Sequence, residues 1–159
     1  MRMRRTILGW PLLLITLAVI LWPGSATAQT LTLALSPTTV SFPTGDPDTT
    51  PTLRAPALTV TYGIRDKNTL DDWTLTVQAN GDLVAGSAVI PISNVTWTAT
   101  PAPPFRNGVL SAAVAQTLAT GATDIKPPQN ATVVFSLSNS WSYNVGTYSQ
   151  TIVFTLTSQ

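Results

Sequence analysis

The 159-residue chain contains no cysteine, no histidine and, although acids total seven, no glutamate. Without cysteine there are no disulfides and no thiolate metal sites; without histidine there is no imidazole base, no histidine-ligated metal and no Ser-His-Asp triad. Aspartate is the only carboxylate. Charged residues make up only 9% of the chain, and no run of them forms a basic stripe able to neutralise phosphates, which excludes nucleic acid as a partner. The inventory lacks most of the usual catalytic parts, so the chain reads as non-catalytic, with no cofactor and no metal.

Long apolar runs are also scarce, with one exception at the N-terminus. Arg2, Arg4 and Arg5 precede an apolar run from Ile7 to Trp22, and Pro23-Gly24-Ser25 then leads to the small-residue triplet Ala26-Thr27-Ala28. This is the pattern of a secretory signal peptide, residues 1–28, with cleavage expected before Gln29. Read instead as a retained anchor, the run is 16 residues long, short of the ~20 that span a bilayer. The mature chain, 29–159, is then one domain outside the cytoplasmic membrane, secreted and extracellular or at the cell surface. It carries Arg54, Arg65, Lys67, Arg106 and Lys126 against seven aspartates, a net charge of −2 rather than the precursor's +1.

What the mature chain has in quantity is Thr, Val, Leu, Ala, Ser and Pro, and β-branched residues favour extended backbone. Apolar residues fall at every second position in Leu58–Ile64, Trp73–Ala79, Val95–Ala99 and Val133–Leu137, and the alternation continues in Tyr148–Leu156, where Ile152, Phe154 and Leu156 share a face. Period two means one buried and one wet face. Further strands are expected at Leu31–Leu35, Thr39–Phe42 and Ala88–Ile92, the last at an edge or bulge because Pro91 cannot donate to a ladder. Loops are expected at Pro43–Pro51 and Pro101–Pro104, and Asn80-Gly81 marks a turn too irregular afterwards for a two-residue hairpin. Val109–Leu118 reads as a strand or as a short helix. About eight strands joined by short connections predict an all-β antiparallel sandwich, Ig-like or WxL-like.

Arg65, Asp66 and the run Asp71-Asp72-Trp73-Thr74-Leu75-Thr76-Val77 resemble the first Trp-x-Leu segment of the WxL domain, a β-rich module of Gram-positive cell surfaces. The closing run Gly146-Thr147-Tyr148 to Leu156 resembles that family's Tyr-led last strand, with Phe154 where the family has its second tryptophan. The resemblance covers residues 57 to 157 and implies non-covalent attachment to peptidoglycan or to other cell-wall proteins. The same closing strand is similar to those of spore-coat-U and pilin-like subunits, which commonly carry disulfides. A chain ending within a strand, with no sorting motif after Gln159, is expected to be held by binding or by assembly.

Trp73 and Trp97 lie on the apolar phase of their strands and are expected in the core rather than on a glycan-contacting platform. Trp141 and Tyr143 break the alternation amid Ser and Asn, which suits an exposed sugar-stacking surface or a loop folded back over the end of the sandwich. Asp46 with Asp48, and Asp66 with Asp71 and Asp72, could offer oxygen ligands to calcium, but neither has the spacing of a calcium loop; turn formation and pairing with Arg65 or Lys67 are the ordinary reading. Asn94-Val95-Thr96 and Asn130-Ala131-Thr132 match the N-glycosylation pattern, which a bacterial chain leaves unused, and Lys126 and the serines present no activated nucleophile. The leading reading is a surface protein adhering to cell-wall glycan or to partner proteins through Trp141 and Tyr143; the alternative is a subunit that self-assembles by adding its own terminal strand to a neighbour's open sheet edge; a third, an aspartate-dependent glycan hydrolase, is disfavoured by the residue inventory.

Overall fold

Period-two segments too short to be stable singly must pair, and here they pair into two sheets packed face to face. The computed structural model describes residues 12–17, 30–65 and 72–158. Within them lie β1 (Leu12–Leu17), β2 (Thr30–Ser36), β3 (Thr39–Ser41), β4 (Thr52–Arg54), β5 (Leu58–Arg65), β6 (Trp73–Ala79), β7 (Leu83–Ala85), β8 (Ala88–Ile90), β9 (Val95–Thr100), β10 (Gly108–Val109), β11 (Gln116–Gly121), β12 (Ile125–Ser138) and β13 (Ser149–Ser158), with one 3-10 turn at Ile92–Asn94 and no α-helix. The first sheet runs β11-β6-β13-β1-β3, extended by β7 beside β13 and by β8 beside β7; the second runs β10-β9-β12-β5-β2, with β4 beside β12. Every pair is antiparallel except β1 with β13. The all-β sandwich is as the sequence predicts.

The core lies between the sheets and is built by alternation. Trp73, Leu75, Val77 and Ala79 of β6 and Ile152, Phe154 and Leu156 of β13 face Leu58, Val60 and Tyr62 of β5, Val95 and Trp97 of β9, and Val133 and Phe135 of β12, all buried. Burying a large apolar side chain contributes roughly 1.5–3 kcal/mol, so these positions dominate stability. Trp73 and Trp97 are each 2% exposed, which places both in the core as expected. Their indole N–H groups donate to Thr123 O at 3.0 Å and Arg106 O at 2.8 Å, so neither polar handle is stranded by burial.

Several expectations need correction. The segment Val109–Leu118 is neither one strand nor a helix. β10 ends at Val109 in one sheet and β11 begins at Gln116 in the other, and the crossing between them is turned by Ser111, whose Oγ accepts the N–H groups of Ala113 and Val114 at 3.2 Å each. Ala88–Ile92 stops as a strand at Ile90; after Pro91 the chain turns, and Ile92 N–H donates to Asp82 Oδ1 at 2.8 Å. After residue 29 the described strands number twelve against about eight expected, because short strands such as β4 and β7 carry too few residues to show a period. β12 begins well before Val133: its register on β5 shifts between Ile125 and Gln129, and this irregularity accommodates Pro127 and Pro128. Asp66, Lys67 and Asp71 lie outside the described residues.

Candidate functional site

Two places in the fold could serve recognition, and the first is the loop cluster at the end of β12. The Pro43–Pro51 loop is turned by Asp46, whose carbonyl accepts from Thr49 and Thr50 N–H at 3.0 and 2.7 Å and whose Oδ1 accepts from Asp48 N–H at 2.9 Å. Asn139, just past β12, locks this loop down by donating its Nδ2 to Gly45 O at 3.1 Å and Thr50 O at 3.0 Å. Trp141 then reaches across, its Nε1–H donating to Asp48 Oδ1 at 2.9 Å. Both carboxylates of the pair are thus engaged in holding loops. Among the described residues no three Asp, Glu, His or Cys side chains gather to hold a metal ion.

The cluster separates the two aromatics that the sequence placed together. Trp141 is 46% exposed with its edge fixed by Asp48, leaving an indole face open to solvent. Tyr143 is half-buried against the core, and desolvation raises its phenol above the ordinary tyrosine value. The crevice beneath it, lined by Leu53, Ile90, Leu137 and Tyr148 among others, has a volume of about 20 Å³. That holds about one water and no organic ligand, so recognition here is by surface contact. Asp48 was visible in the sequence only as a loop acid; its pairing with Trp141, 93 residues away, is a tertiary fact.

The second place is the position of β1. This strand lies inside the apolar run read as a leader, yet it occupies an interior place in the first sheet, between β13 and β3. It runs parallel to β13, with Leu12 to Leu17 opposite Ser149 to Phe154 in order, and antiparallel to β3, with Leu13 opposite Val40. Directly opposed residues share a face. The β1 positions opposite core-facing Ile152, Phe154 and Val40 are therefore 15, 17 and 13, and those three neighbours are at most 1% exposed. Neither a family model nor a curated protein matches this chain.

Proposed function

We propose that the protein is a non-catalytic, secreted bacterial surface subunit that assembles by strand addition. One observation carries the reading: a segment of signal-peptide composition completes the sheet beside the last strand of the chain. Signal cleavage before Gln29 removes β1. It leaves the edge of β13 at residues 149–154 and that of β3 without partners, beside the core residues Val40, Ile152 and Phe154. An open edge beside core residues is the strongest kind of template for another strand, since backbone groups and apolar side chains are satisfied together.

The chain recovered after export should begin at Gln29 by mass spectrometry and run on size-exclusion chromatography as a concentration-dependent ladder. Adding a lysine-flanked peptide spanning Leu12–Leu17 should collapse that ladder to monomer by filling the open place. A mature chain that stays monomeric at every concentration and takes up no peptide sinks the proposal.

A second reading, adhesion to cell-wall glycan, is favoured by Trp141. Its open indole face, pinned beside a carboxylate and among Ser140, Ser142 and Asn144, has the character of a sugar-stacking surface. Sedimentation with purified peptidoglycan, compared between the native chain and Trp141→Ser, tests it: equal binding by both would remove Trp141 from any such role.

A further inference from the structure

We infer that the strand taking the place of β1 in the mature protein is β2, Thr30–Ser36, of a second copy of this chain, entering parallel to β13. The inference rests on the strand-addition reading and names its partner. The place to be filled demands apolar residues at three alternate positions, those opposite Val40, Ile152 and Phe154. β2 reads Thr-Leu-Thr-Leu-Ala-Leu-Ser. With Leu33 set opposite Ile152, Leu31 falls beside Gln150 and Val40 and Leu35 opposite Phe154, while Thr32 and Ala34 take the opposite face.

Position in the fold also singles out β2. The other long alternating strands, β5, β6, β12 and β13, carry the buried residues of the core and cannot leave without dismantling it. β2 is an edge strand paired only with β5, and only its Leu33 is buried, at 9% exposure, with Leu31 and Leu35 half-buried. Moving it opens the β5 edge at residues 59–65 but gives β2 a strand on each side in place of one.

A chain cannot fill its own place in this way. β2 ends at Ser36 and β3 begins at Thr39, so folding β2 back on its own β3 makes a two-residue hairpin with Leu35 opposite Val40. Leu35 would then stand where Leu13 stands, and the positions opposite Ile152 and Phe154 would fall on the connection and on β3 itself. Only the β2 of another molecule reaches both. Because the patch given and the patch received differ, the contact is heterologous and propagates as an open chain unless it closes.

The absence of native cysteine makes the test clean. Two mature, exported variants, Ala34→Cys and Val153→Cys, place thiols at positions that the inferred register sets opposite one another, away from the core. Mixed and oxidised, they should give an intermolecular 34–153 disulfide located by peptide mapping, and full-length chain retaining residues 1–28 should give none. Leu33→Asp should abolish the ladder; because that variant could fail to fold, competition by a Thr30–Ser36 peptide against native mature chain serves as the second measurement. A ladder that forms without the 34–153 disulfide and resists this peptide overturns β2 as the donor while leaving strand addition standing. A mature chain that neither oligomerises nor accepts the Leu12–Leu17 peptide overturns both.

Discussion

Each core tryptophan lies across a glycine of the neighbouring strand: Trp73 opposite Gly121, and Trp97 opposite Gly108. A Cβ at Gly121 would sit 2.5 Å from Trp73 Cζ2 and one at Gly108 2.4 Å from Trp97 Cζ2, so the missing side chains are the space the indoles fill. Gly121→Ala should therefore destabilise by about 1–3 kcal/mol through overpacking, and Trp73→Ala by about 3–5 kcal/mol through the cavity it leaves. Denaturant titrations of both variants check this, and a Trp73→Ala protein of unchanged midpoint would contradict the core assignment. The two loop aromatics should behave differently from these and from each other. Trp141→Ser should shift stability by no more than about 0.5 kcal/mol because its face is solvated. Tyr143→Ser should cost clearly more, since its ring packs against the core. Thermal melts of the two single variants separate surface from structure.

Among the elements, the irregular connections carry the specific polar contacts. The turn after β8 depends on Asp82, whose Oδ1 is the acceptor for the N–H of buried Ile92. Asp82→Ala should leave that donor unpaired and cost about 1–3 kcal/mol, whereas Asp82→Asn keeps an oxygen in place and should be close to native. Hydrogen exchange at Ile92, faster in the alanine variant alone, is the direct readout. The alternating strands were legible residue by residue because one buried and one wet face impose period two. The crossing at Ser111 and the Pro127-Pro128 irregularity were not, because each is fixed by a neighbour distant in sequence: Leu110 N–H donates to Val95 O, and Pro128 packs against Gly63. No local period records such contacts.

For the whole molecule, the chemical inventory fixes the response to pH. No imidazole or thiol is present to titrate near neutrality, so stability should be nearly flat from pH 5 to 8 and indifferent to dithiothreitol. Burial raises the phenols of Tyr62 and Tyr143 above the ordinary value of 10.0. A group raised in the folded state contributes stability that is fully present below its unfolded value and is lost as pH rises through the folded one. Melting temperature should therefore hold to about pH 9 and fall above pH 10; melts from pH 5 to 11 would show it, and a marked change between 5 and 8 would contradict it. Composition and alternation alone determined the all-β class, the burial of Trp73 and Trp97 and the lack of thiol and imidazole chemistry, because these depend on residue type and on a two-residue period. The tertiary structure alone decided that Trp141 is pinned by Asp48 while Tyr143 turns inward, and that β13 and β3 are separated by one strand's width filled from the apolar run at the N-terminus. Those facts join residues some 90 to 140 positions apart in the chain, and strand partnership is set by which faces and edges remain to be satisfied, a property of the assembled sheets rather than of any one segment.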